Sequence, residues 1–69
     1  MQHVQIELDG KPHAVPPGST LAELIASLAT PAESVATAVN GAFVARDQRA
    51  LCLLKAHDAV LVFRAIVGG

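Results

Sequence analysis

The sequence predicts an α+β fold: a mixed sheet of four to five strands with one main helix packed on one face. Three observations lead there. Two hairpin-type dipeptides, Asp9-Gly10 and Asn40-Gly41, each lie between runs of strand formers. One stretch with helical spacing stands between those hairpins, and the final run, Val60 to Val67, is the richest in strand-forming residues.

From His3 to Asp9 the chain alternates, with Val4, Ile6 and Leu8 on one side and Gln5 and Glu7 on the other, the pattern of a half-buried strand. Asp9 and Gly10 supply the two positive-φ positions of a tight turn, and the chain returns through Lys11 to Val15. Pro16, Pro17 and Gly18 end the pairing, because proline brings no N–H to a ladder.

Thr20 and Glu23 form a capping-box signature, and Leu21, Leu24, Ile25 and Leu28 follow as one apolar helical stripe. Thr30 and Pro31 are expected to close that helix. Val35 to Val39 reads as a third strand, and Phe43 and Val44 lie on a short fourth strand after Asn40-Gly41. The stretch Arg46 to Leu54 reads as a connection with a turn of helix, which Asp47 could cap, or as an extended segment carrying Leu51, Leu53 and Leu54. A hairpin, a crossing helix and later strands joining one sheet make an α+β roll of the β-grasp kind.

In the last strand both side-chain parities are apolar, Val60 and Val62 on one face and Leu61 and Phe63 on the other. Such a strand belongs in a sheet covered on both sides, yet one helix covers one face. Either Arg46 to Leu54 wraps the second face, or an apolar patch that includes Leu61 and Phe63 stays open to a partner protein.

Residues 1–69 fit a single domain. A domain of this size hides only about 60% of its unfolded surface. A catalytic cleft of roughly 300 Å³ would consume much of that core, so an enzyme is the less favoured class. The chain is 52% hydrophobic and 16% charged, the composition of a packed domain rather than a disordered one. Five Lys and Arg against six Asp and Glu leave no basic surplus to attract nucleic acid or an anionic membrane. No apolar run approaches the ~20 residues of a membrane span, and the start has no secretion pattern. With a single cysteine, Cys52, no internal disulfide is possible, which suits a reducing, cytoplasmic setting.

The dipeptide Gly68-Gly69 closes the sequence immediately beyond a buried-type strand, where neither a helix cap nor a hairpin turn has further chain to serve. At ordinary glycine usage such a pair arises by chance in roughly one chain in two hundred. A frayed end is the plain reading of any terminus. The functional reading is a flexible tail: residues without a Cβ let a thin backbone enter a narrow site on another protein and carry a carboxylate to a reacting atom. A terminal carboxylate, with a reference pKa of about 3.5, is ionised at neutral pH and must be activated before a nucleophile can attack it.

Gly18 to Leu24 (GSTLAEL), Val39 to Arg46 (VNGAFVAR), Asp58 to Val62 and the final Gly68 and Gly69 together resemble the ThiS family, ubiquitin-like sulfur carriers of thiamine biosynthesis, over essentially the whole chain. The resemblance implies that Gly69 is the sulfur-carrying residue, with Val67 and Gly68 as its tail. It implies a ThiF-type, E1-like adenylyltransferase that uses ATP, a cysteine desulfurase or persulfide as sulfur donor, and a ThiG-type thiazole synthase as acceptor. No cofactor is expected on the chain itself, which is expected to be a monomer when free. The family usually has Gly-Asp before the last strand; here His57 precedes Asp58, a less comfortable residue for a left-handed turn.

Phe43, Leu61, Phe63 and Arg64 are the candidate partner contacts, with Arg64 placed to meet an acidic rim or simply solvated. His3, His13 and His57 are scattered and share no metal-ligand spacing with Cys52, which reads as a small apolar filler between Leu51 and Leu53. Asp47 and Asp58 read as single turn or cap carboxylates, and no residues are assigned to catalysis or to a metal. A MoaD-like carrier of molybdopterin synthesis, an inert ubiquitin-like interaction module and a lysine-conjugated modifier are the competing readings.

Overall fold

The computed structural model describes residues 3–29 and 31–64. Strands β1 (Val4–Leu8), β2 (Lys11–Val15), β3 (Val35–Val39), β4 (Ala42–Val44) and β5 (Ala59–Arg64) form one mixed sheet in the order β2-β1-β5-β3-β4. Helix α1 (Leu21–Ser27) crosses one face, giving the expected β-grasp roll with the last strand at its centre. The central position of β5 follows from its composition. It lies parallel to β1 and antiparallel to β3, and its inward residue Val60 is fully buried.

The two hairpins form where their turn residues demand. Asp9 and Gly10 take φ of 53° and 81°, and Asn40 and Gly41 take 52° and 83°, the left-handed pairs that bring right-twisted strands back antiparallel. The capping box forms too: Thr20 Oγ1 accepts the Glu23 N–H at 3.2 Å, and Glu23 Oε1 accepts the Thr20 N–H at 2.9 Å. A seven-residue helix is too short to persist alone, so its apolar face must hold it. Leu21, Leu24 and Ile25 are buried against Ile6, Val15, Val35, Leu54 and Val60. Full burial of side chains this size contributes about 1.5–3 kcal/mol each.

Helix α1 stops earlier than the Thr30-Pro31 signal suggests. It ends at Ser27 with Leu28 as cap, and Ala29 turns left-handed at φ 56°. Leu28 is already partly packed on the core, so reversing the chain there keeps the apolar stripe intact.

The ambiguous stretch resolves into a 3₁₀ segment, Arg46–Leu51, and an extended piece that makes a single bridge from Leu53 to Thr20. Asp47 does not cap it. Ala45 occupies the N-cap position without a side-chain bond. The segment packs beside α1, where Leu54 is buried and the Leu21 N–H donates to the Cys52 carbonyl at 2.8 Å. It therefore does not wrap the other face of the sheet. Cys52 is half-buried and packed against the edge of the core.

Arg49 fixes this corner, an arrangement that the sequence pattern does not announce. Only 3% exposed, it donates from Nε to Thr37 Oγ1 (3.1 Å), from Nη1 to the Ala32 carbonyl (2.9 Å) and from Nη2 to the Val35 carbonyl (2.6 Å). Thr37, fully buried, donates its own hydroxyl hydrogen bond to the Val44 carbonyl at 3.0 Å. Buried polar groups persist only when paired in this way.

Candidate functional site

The register of the sheet brings three of the candidate contact residues together. Val60 points into the core, so alternation sends Leu61 and Phe63 to the outer face. Leu61 lies opposite Ala38, Phe63 opposite Ala36, and Phe43 opposite Ala38 from the other side. A row Phe43, Ala38, Leu61 thus crosses β4, β3 and β5, with Phe63 and Ala36 one step along. Neighbouring strands are spaced about 4.8 Å, so the row spans roughly 10 Å. The two alanines form a low floor between larger side chains.

This patch is open. Phe43 is 70% exposed, Leu61 47% and Phe63 51%, and the second helical segment that could have covered them lies on the opposite side of the sheet. Leu51, also exposed, continues the apolar surface at the rim, where it borders a shallow groove with Phe43, Val44, Ala45, Gln48 and Cys52. Arg64 is exposed at the far end of β5, paired with Val35 at the last rung of that ladder. The alanine floor escapes a sequence reading, because Ala36 and Ala38 gain meaning only once the register sets them between aromatic neighbours.

Val67, Gly68 and Gly69 lie outside the described residues. The route by which β5 arrives at Arg64 is fixed at the opposite edge of the ladder. Pairing with β1 consists of Glu7 with Ala59 and Leu8 with Val60, after which β1 turns away at Asp9.

The turn before β5 carries His57 ahead of Asp58. Lys55 to Asp58 closes with the Asp58 N–H on the Lys55 carbonyl, and His57 sits there at φ 72°. Asp58 holds the turn through Oδ2, which accepts the Lys55 N–H at 2.8 Å, and through Oδ1, which accepts from Asn40 Nδ2 at 3.0 Å. Asn40 Oδ1 in turn accepts the Ala59 N–H, so the two turns at this end of the sheet brace each other. Asp58 is a turn carboxylate, as expected.

No three of the described His, Cys, Asp and Glu residues come together in a group that could hold a metal ion. None of the described helices is long and apolar enough to cross a membrane.

The ThiS family model matches residues 3–69, a span that includes both closing glycines. The chain belongs to the ThiS family. The crystal structure of the thiamine biosynthesis protein ThiS from Geobacter metallireducens superposes with a TM-score of 0.84 at 28% identity, covering 96% of this chain and all of that one. An NMR solution structure of a thiamine biosynthesis protein from the same organism gives a TM-score of 0.73 at 28% identity, covering 96% of this chain and 88% of that one. Comparison with curated proteins gives no match. ThiS membership supports a role as a sulfur carrier that works with partner enzymes, and the ubiquitin-like β-grasp fold is common to this chain and those neighbours.

Proposed function

We propose that this chain is the sulfur carrier of thiazole formation in thiamine biosynthesis, acting through the carboxylate of Gly69 as a protein cosubstrate rather than as a catalyst. The observation that carries the reading is the family match running through Gly68 and Gly69, on a fold whose central strand leads toward them past an exposed apolar face.

In this reading an E1-like adenylyltransferase of the ThiF type docks on Phe43, Leu61 and Phe63, with Arg64 at the rim. The thin tail of Val67, Gly68 and Gly69 then enters its active site. A carboxylate oxygen attacks the α-phosphorus of ATP, giving an acyl adenylate and pyrophosphate. A cysteine persulfide, supplied by a cysteine desulfurase, attacks the acyl carbon and expels AMP. A second thiol attacks the resulting acyl disulfide at its cysteine-side sulfur, leaving the thiocarboxylate and a new disulfide. A thiazole synthase of the ThiG type takes up that sulfur. ATP and reduced thiols are both at hand in the cytoplasm, where we place the reaction, with the free carrier as a monomer. No cofactor is bound by the chain itself.

The test is intact-mass spectrometry of the full chain after incubation with the activating enzyme, ATP and a sulfur source. The expected result is a gain equal to the exchange of one oxygen for one sulfur, lost on deletion of Gly69. An unchanged mass with an active partner would refute the proposal.

A further inference from the structure

The β1 edge of β5 carries a bond that the turn itself does not require. Asp9 and Gly10 form the first hairpin turn, and Asn-Gly or Gly-Gly would supply the same left-handed pair. Yet the carboxylate of Asp9 reaches across to β5, where Oδ1 accepts the N–H of Val62 at 3.0 Å, 53 residues away in sequence. Its own backbone N–H donates to the Val60 carbonyl at 2.9 Å. Those two bonds follow the bond from the Glu7 N–H to the Asp58 carbonyl, so the side chain of Asp9 occupies the rung that β1 would have filled had it not turned.

Past Val60, β5 has lost its β1 backbone partner and is paired through backbone only with β3. We propose that Asp9 is a positioning residue for the carrier reaction: its carboxylate replaces the missing strand at Val62 and sets the direction in which β5 delivers Gly69 to the adenylating enzyme. This rests on the sulfur-carrier reading given above. A bond from a charged acceptor is stronger than a neutral one. It pins the β1-side edge of β5 two residues before Arg64, where β3 alone pairs the backbone, and so fixes the strand from both edges. Losing that anchor weakens productive binding, whereas the chemistry at the Gly69 carboxylate is untouched.

The test compares Asp9→Gly, which keeps the left-handed turn and removes the carboxylate, with Asp9→Asn, which keeps both the turn and an acceptor oxygen. Two readouts are taken on the full chain: amide hydrogen exchange at Val62, and ATP–pyrophosphate exchange by a purified ThiF-type adenylyltransferase. For Asp9→Gly the Val62 amide is expected to exchange about 2- to 10-fold faster, the size of one modest hydrogen bond, while Leu61 and Phe63 on the β3 side hold their protection. KM for the carrier should rise by a similar factor with kcat retained. Asp9→Asn should restore both values toward those of the native chain.

Unchanged exchange at Val62 overturns the bond, and faster exchange with unchanged KM overturns its positioning role. A variant-free measurement guards against loss of folding in Asp9→Gly. In the native chain the Val62 amide is expected to be protected from hydrogen exchange although no strand backbone accepts it, and an unprotected Val62 amide overturns the proposal. If the native chain supports no pyrophosphate exchange, the carrier reading itself fails, while the Val62 measurements still report on the Asp9 bond.

Discussion

Replacing His57 by glycine removes a Cβ from a residue that the turn before β5 holds at φ 72°. In that left-handed region the Cβ of an L-residue crowds the following carbonyl, at a cost of about 1–2 kcal/mol. Glycine is free of the clash but gives the unfolded chain more freedom, which offsets about 0.5–1 kcal/mol. The bonds that hold the turn are made by the backbone and by Asp58, namely His57 N–H to the Gln5 carbonyl at 2.7 Å and Asp58 Oδ2 with the Lys55 N–H, and neither involves the imidazole. His57 is exposed along a groove with Gln5, Glu7 and Pro12, so little burial is lost. The net expectation for His57→Gly is a gain of about 0.5–1 kcal/mol. In a domain of this size that raises the thermal midpoint by about 2–8 °C. Differential scanning calorimetry with His57→Ala as control decides the matter, because alanine keeps the Cβ and should stay within about 0.5 kcal/mol of the native chain. A midpoint for His57→Gly at or below that of His57→Ala refutes the reasoning.

Ala29, exposed at φ 56° just past the helix cap, is the same case at a helix end, and Ala29→Gly should add about 0.5–1 kcal/mol in urea titration at constant m. Arg49→Met strands the buried Val35 carbonyl, removes the donor to the part-buried Ala32 carbonyl and leaves the Thr37 hydroxyl with only its bond to Val44, and a loss of about 2–4 kcal/mol in the same titration is expected. Phe43→Ser combined with Leu61→Ser should leave the circular-dichroism spectrum native while raising KM in ATP–pyrophosphate exchange by about 10-fold or more, if this face docks the adenylating enzyme.

Local signals carried much of the fold. Asp9-Gly10, Asn40-Gly41 and Thr20 with Glu23 act over two to four residues, and each forms as its chemistry dictates. Strand β3 starts and ends where its run of small and β-branched residues does. The misread places are those where a distant partner outweighs the local pattern. Thr30-Pro31 looked like the stop for α1, but packing of Leu28 on the core favours reversal at Ala29. Asp47 looked like a cap, but Arg49 sets the geometry of its segment by bonding to residues 12 to 17 positions away.

The candidate site divides in the same way. The double parity of β5 showed that a second apolar face exists, and the closing glycines with the family motifs pointed to the tail. Whether that face stays open could not be read from Leu61 and Phe63 themselves, since it depended on which side Arg46–Leu51 would pack.

The sequence by itself determined the turns, the helix start, the run of strands and the family, because these depend on backbone preferences of neighbouring residues and on motif identity. Only the tertiary structure decided that Phe43, Leu61 and Phe63 share one surface floored by Ala36 and Ala38, and that Asp9 takes the place of a strand at Val62. Register and the side on which a connection packs are set by contacts between residues far apart along the chain, and no local preference encodes them.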